Sequence, residues 1–349
     1  MGAAPDEAEL NQAGKLPADP RAGTKAVSLR VPRVHTVREL LSDAAVRSMS
    51  REQHTTCTTG HYRLDDITGG IRRGFTWLFG ADTSFGKSSW LISVADENIR
   101  VGKRVLICSS EDVADVYADR LLARRAQISA KNLRDRDLLK SEVSRVTEAV
   151  NKAEAVPVYI DARRWPVEDL TPHLRTIIKE EKIDIVAFDY IQEFQSKKRW
   201  QDERVKYREI ASQLRHIAKD ANIAAILFSQ LTMTAETKIP TRHNIRECRD
   251  IANASEVIVI GFEPDKEIQT AKGPGIEAGT KCLLVDKCKN GPRGVKMPMF
   301  WNDMSASFSR VDDQDHHYQL QHELEERRQQ WGAEMKARRE AREQRAKSA

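Results

Sequence analysis

Between residues 76 and 100 the sequence reads TWLFG, then ADTSFGKSS, then WLISVADENIR. The spacing predicts an apolar strand, a glycine-containing turn and an amphipathic helix, with the turn matching Ala or Gly, four residues, then Gly-Lys-Ser. The positions are Ala81, Gly86, Lys87 and Ser88, with Asp82, Thr83, Ser84 and Phe85 between them and Ser89 after. Small residues let such a loop close around a β-phosphate, so that backbone amides and the positive end of the helix bind the anion without side chains. Lys87 is placed to reach the β- and γ-phosphates, and the Ser88 hydroxyl to ligate Mg²⁺. The segment therefore predicts nucleotide binding, with ATP and Mg²⁺ as cofactors.

Hydrolysis needs more than binding: an acid that organises the metal and a group that activates water. Asp189 ends the apolar run IDIVAFD, Glu111 follows VLICSS, and Gln230 ends IAAILFSQ. Carboxyl ends of strands are where open α/β sheets bind ligands. Asp189 is thus the candidate metal-organising acid, Glu111 the candidate base and Gln230 the candidate sensor of the γ-phosphate. Taken singly, each serves equally well as a helix cap. Three polar groups at three strand ends above one phosphate loop form a more specific pattern.

The elements that must position these groups are legible as seven apolar runs: 76–80, 105–110, 156–161, 183–189, 223–230, 256–261 and 282–286. Near-continuous apolar strands alternating with helical patterns predict an α/β fold with a mostly parallel central sheet covered by helices on both faces. Residues 1–33, rich in Ala, Gly, Pro and charge, read as a disordered tail. Val37, Leu40, Leu41, Ala44 and Val46 fall near helical spacing and predict a short helix within 34–54. Beyond the folded domain at 55–313, residues 314–349 read as a charged helix, with Glu323/Arg327 and Glu334/Arg338 at i,i+4 spacing.

These residues resemble the C-terminal motor domain of the DnaB-type replicative helicases, a hexameric, RecA-like branch of phosphate-loop ATPases. The resemblance runs from TTGHYRLDDITGGIRRG through ADTSFGKSS, SSED, PVYID, AFDYIQEF, LFSQL and IRECRDIANASEVIVI to DKCKNGPRG. It implies a catalytic role for Glu111, a metal-organising role for Asp189, and for Gln230 the coupling of nucleotide state to DNA. It also implies ATP bound between subunits, with a Lys-x-Arg pair reaching in from a neighbour. Here that pair is Lys287 and Lys289, a departure, because an ammonium lacks the planar fork of Arg; Arg293 is the nearby substitute. DNA contacts are implied for SKKRWQDER, with Lys197, Lys198 and Arg199, and for NIRECRD, with Arg246, Glu247 and Arg249. Contacts of a motor that moves over any sequence should go to phosphates. The helix within 34–54 resembles the linker that docks on an adjacent subunit. The helical collar of such helicases is expected to be missing or supplied by another chain, as in compact phage or plasmid helicases.

The 57 basic and 52 acidic residues leave a net charge of +5, compatible with a polyanionic partner but far from histone-like. A 40% hydrophobic content excludes disorder throughout. Cys57, Cys108, Cys248, Cys282 and Cys288 form no CxxC pair, so neither a zinc site nor a disulfide framework is expected. No apolar run approaches the ~20 residues of a membrane span, and Asp6, Glu7 and Glu9 stand where a signal peptide would be basic then apolar. A cytoplasmic, ring-forming DNA helicase acting on single-stranded or forked DNA, with a primase or loader as partner, is the expectation. Two alternatives stay open: a recombination or repair ATPase of the same fold, and an ATP-gated scaffold or loader that hydrolyses poorly.

Overall fold

The computed structural model describes residues 56–308 apart from 153–157, 233–238, 246–250, 253–254, 265–280, 300 and 303–304, together with 37, 38 and 41. Its centre is an eight-stranded sheet, in spatial order β10-β9-β8-β3-β7-β6-β4-β5. The strands are β3 (Thr76–Ala81), β4 (Val105–Ser109), β5 (Val158–Asp161), β6 (Ile185–Asp189), β7 (Ala224–Gln230), β8 (Val257–Phe262), β9 (Lys281–Cys288) and β10 (Val295–Met299). From β5 to β8 every pairing is parallel, while β9 and β10 add on antiparallel. Two short pairs flank it, β1 (Thr56–Cys57) with β2 (Ile71–Arg72), and β11 (Trp301–Asn302) with β12 (Ser307–Phe308).

All seven apolar runs form strands. The structure adds β10, which the sequence hides because Lys296 and Pro298 interrupt its apolar pattern; an edge strand tolerates a proline that a central one would not. β3 sits between β7 and β8 and is buried along its whole length, as a central strand covered on both faces must be. Side chains alternate across it: Trp77 and Phe79 enter one core, Leu78 the other.

The helices fall to the two faces accordingly. α1 (Tyr62–Thr68), α2 (Lys87–Arg100) and α3 (Ala114–Ala126) contribute Leu64, Trp90, Leu91, Val94 and Tyr117 to the first core, where Phe79 stacks on Trp90 with centroids 4.0 Å apart. α6 (Val167–Glu180) and α7 (Glu203–Ala221) cover the second, after the shorter α4 (Ala130–Arg134) and α5 (Lys140–Asn151), which pack beside α3. α7 starts where Asp202 accepts from Arg204 N at 2.8 Å, and it turns Tyr207, Ile210, Ala211, Leu214, Ile217 and Ala218 inward at helical spacing. Burying each such large side chain stabilises the fold by ~1.5–3 kcal/mol.

A buried ion network locks α2 to α3. Arg124 Nε donates to Asp96 Oδ2 at 3.0 Å and its Nη2 to Glu97 Oε1 at 3.2 Å, while Arg125 Nε donates to Asp96 Oδ1 at 2.7 Å. Arg124 also donates to the Phe308 carbonyl, tying β12 beneath the helix that opens at the phosphate loop. Val37, Arg38 and Leu41 are helical, with Val37 and Leu41 exposed, at the position of the expected linker helix. The expected tail and charged C-terminal helix lie outside the described residues. No helix among the described residues is long and apolar enough to cross a membrane.

Candidate functional site

Between β3 and α2 the chain makes one short turn, Thr83–Phe85, then passes through Gly86 at φ +91° before the helix begins at Lys87. That left-handed backbone and the Trp301 ring, 3.1 Å from where a Cβ would stand, restrict the position to glycine. Phe85 is the loop's anchor. It is buried among Phe79, Phe308 and Gly261, and a Cβ on Gly261 would meet its ring at 2.5 Å. Asp82, Thr83 and Ser84 form the outer rim, Thr83 and Ser84 exposed, while Ala81 and Ser89 are buried at its two ends.

Asp189 is the polar centre. It ends β6, completely buried, and its Oδ2 accepts from Ser88 Oγ at 2.9 Å and from Tyr117 OH at 2.8 Å. Its Oδ1 is buried and has no hydrogen-bond partner. Burial raises its carboxyl above the usual range, against the downward pull of Tyr117, Ser88 and Lys87. The Lys87 ammonium, buried at the start of α2, lies 4.9 Å from the Tyr190 ring centroid. A buried carboxylate oxygen without a donor, beside a serine hydroxyl and below an anion-binding loop, fits a hard divalent cation held by oxygen ligands. Among the described residues no group of three or more His, Cys, Asp and Glu side chains is gathered to hold a metal, so a cation at Asp189 would draw its other ligands from Ser88, the phosphates and water.

Glu111 stands exposed two residues beyond Ser109, which pairs with Asp189 in register. Partial burial and then the nearby Asp189 raise its carboxyl, with Lys87 opposing. Gln230 lies in register with Ala81, at the root of the phosphate loop. Its N–H donates to Gln192 Oε1 at 3.4 Å, and Gln192 Nε2 donates to Ser229 Oγ at 2.8 Å. The three strand-end groups and residues 81–89 thus share one edge of the sheet, around Asp189.

Lys287 and Lys289 lie elsewhere. Lys287 pairs with Ile258, and Lys289 N donates to the Glu256 carbonyl at 3.0 Å, where Glu256 N in turn donates to the Thr76 carbonyl at the start of β3. The phosphate loop is at the end of β3, so these lysines lie toward the opposite sheet edge, Lys287 about 10 Å and Lys289 about 17 Å away along the strand direction. Lys287 Nζ donates to the Ala252 carbonyl at 3.1 Å; Lys289 and Arg293 are exposed. Burial lowers the Lys287 pKa, with Glu256 opposing.

Lys197, Lys198 and Arg199 are exposed on the loop after β6, where Lys197 N donates to Glu168 Oε2 at 3.0 Å and Lys198 lies 5.7 Å from the Trp200 ring centroid. Arg246, Glu247 and Arg249 fall outside the described residues. Sequence reasoning missed Tyr117, which carries no motif and owes its place to the packing of α3, and it gave Gln192 no role although its Asp-Tyr-Ile-Gln string was in view. It also missed Lys281 and Trp301, which reach the phosphate loop from roughly two hundred residues downstream.

A family model described as DnaB-like helicase C terminal domain matches residues 56–310. The Replicative DNA helicase DnaC of Bacillus subtilis (strain 168) is 26% identical over 244 residues, which cover 68% of this chain and 53% of that protein. The chain therefore spans about half the length of the curated relatives it matches. Among solved structures, an isolated ATPase domain superposes with a TM-score of 0.71 at 18% identity, over 80% of this chain and 100% of that one. A DnaB-like replicative helicase, described with its interactions with primase, does so at 0.70 and 17%, covering 80% and 69%. At these identities the two structures speak for the RecA-like ATPase fold. With the family model spanning residues 56–310, the chain belongs to the DnaB-like helicase C terminal domain family.

Proposed function

We propose that this chain is the ATP-hydrolysing motor of a DNA helicase of the replicative DnaB type, acting on single-stranded and forked DNA. The observation that carries the proposal is the buried Asp189, bonded to Ser88 and left with one unpartnered oxygen directly beside Lys87 and the phosphate loop. Residues 81–89 grip the triphosphate through main-chain donors, Lys87 reaches the β- and γ-phosphates, and Gln230 senses the γ-phosphate. Ser88 and Asp189 would hold Mg²⁺, which when bound neutralises charge developing on the phosphates. Glu111 orients the attacking water and accepts its proton. Tyr117 keeps the Asp189 carboxylate turned toward Ser88.

The position of Lys287 and Lys289 on the far sheet edge supports a ring, since a chain cannot bring them to its own phosphate loop but a neighbour can. In this reading the assembly is a hexamer, the exposed helical residues Val37, Arg38 and Leu41 dock on the adjacent subunit, and Lys289 or Arg293 stabilises transition-state charge in trans. Lys197, Lys198, Arg199, Arg246 and Arg249 meet DNA phosphates with their side chains and the segment at Glu247 with its backbone amides, and a primase or helicase loader acts as a further partner in the cytoplasm.

The test is unwinding of a forked duplex with ATP and Mg²⁺, run beside Lys87→Ala. Strand separation that vanishes in the variant is the expected result. DNA-stimulated hydrolysis without unwinding would favour a recombination or repair ATPase, and absence of stimulated hydrolysis a nucleotide-gated scaffold.

A further inference from the structure

β9 begins at Lys281, a lysine only 5% exposed whose ammonium is turned under the phosphate loop. Its Nζ donates to the carbonyl oxygen of Phe85 at 2.6 Å, to that of Ser84 at 3.2 Å, and lies 3.0 Å from Glu263 Oε1. Three partners match the three hydrogens of an ammonium. The same group sits 4.2 Å from the Trp301 ring centroid and 5.3 Å from that of Phe85, the two aromatics that cover Gly86 and anchor the loop. An ion pair with Glu263 alone would need neither the loop carbonyls nor the aromatic faces.

The consequence follows from peptide geometry. A trans peptide points its N–H opposite to its C=O. With the Phe85 carbonyl drawn down to Lys281, the Gly86 N–H is turned up, toward the side where an anion must sit. The Ser84 carbonyl is drawn down as well, and the N–H of its peptide, on Phe85, closes the turn on the Asp82 carbonyl at 3.2 Å. Carbonyls pointing into an anion-binding loop repel phosphate, whereas amides pointing in attract it. A buried cation that holds two successive carbonyls on the far side therefore sets the polarity of the loop before any ligand arrives.

We propose that Lys281, braced by Trp301, is a positioning residue for nucleotide binding: it keeps the Ser84 and Phe85 carbonyls away from the phosphates and presents the Gly86 amide to them. The proposal rests on the nucleotide site described above. It assigns a function in phosphate recognition to a side chain that lies outside the phosphate-loop motif.

The experiment compares Lys281→Met, Lys87→Ala and the unaltered protein in titrations with a fluorescent ADP analogue and Mg²⁺, alongside amide hydrogen exchange of residues 84–88 and thermal melting. Removing two charge-assisted hydrogen bonds should weaken nucleotide affinity on the order of tenfold or more, at temperatures far below the melting transition. Exchange across residues 84–88 should quicken in the nucleotide-free protein. A lowered melting temperature with unchanged affinity and unchanged local exchange would reduce Lys281 to a structural lysine and overturn the proposal. Full affinity in Lys87→Ala would remove the underlying site itself, which separates the two failures. If Lys281→Met does not fold, Lys281→Gln, which keeps a neutral amide donor on a side chain one bond shorter, takes its place. A smaller change in the same direction is then expected, and no change in affinity or exchange overturns the idea.

Discussion

Asp189 and Glu111 are two carboxyls raised by their surroundings to different ends. Asp189 is completely buried, with donors from Ser88 and Tyr117 on one oxygen, a setting that suits the cation-organising role proposed for it better than proton shuttling. Glu111 stands in solvent at the rim, close enough for Asp189 to raise its carboxyl further after partial burial has done so. A carboxylate acts as base only when ionised, and a raised pKa keeps it protonated to higher pH than the ordinary glutamate value of ~4.3. DNA-stimulated ATP hydrolysis is thus expected to fall as pH drops through this raised value, with an acid limb displaced upward from the ordinary range. Rates measured across acidic to neutral pH check this, and a limb at the ordinary value would count against Glu111 as base. Glu111→Gln should lower hydrolysis by ~10² to 10⁴ while ATP still binds. The type and strand-end placement of both carboxyls were legible in the sequence. Tyr117 was not, because its hydroxyl reaches Asp189 only through the way α3 packs on α2, and no local spacing encodes that.

At the scale of elements, the phosphate loop is held from below as much as from its own ends. Phe85 wedges between Gly261 of β8 and Phe308 of β12, and Trp301 covers Gly86, so the far C-terminal strands set the height of a loop formed early in the chain. Gly261→Ala would place a methyl 2.5 Å from the Phe85 ring. Overpacking of that kind costs about 1–3 kcal/mol. Denaturant unfolding should register the loss, and the displaced Phe85 should carry Gly86 with it and weaken nucleotide affinity. Unaltered stability together with unaltered affinity would mean that the wedge does not govern the loop. The parallel strands were readable as apolar runs because both their faces are buried. β10 was not, because an edge strand that is half in solvent carries Lys296 and Pro298 without penalty. Nor could spacing reveal that β9 runs antiparallel, which is what carries Lys287 and Lys289 away from the phosphate loop at whose edge the strand begins.

At the scale of the whole molecule, one sheet presents two unlike edges. One holds the phosphate loop with Glu111, Asp189 and Gln230; the other holds Lys287 and Lys289, and β9 runs between them from Lys281 to Cys288. In the proposed motor each chain supplies the nucleotide cradle at one edge and lysines for a neighbour's cradle at the other, an arrangement that a closed ring of copies would complete. The resemblance visible in the sequence anticipated the fold and the family. The opposite placement of the two lysines needed the topology, and the segment with Arg246, Glu247 and Arg249 lies outside the described residues. Every step of the proposed motor depends on a polyphosphate being held at residues 81–89, so equilibrium titration of ATP and Mg²⁺ into the purified chain and into Lys87→Ala tests it most directly. Saturable binding by the unaltered chain that is lost in the variant is the expected result; equal binding by both, or binding by neither, would contradict a phosphate site at these residues.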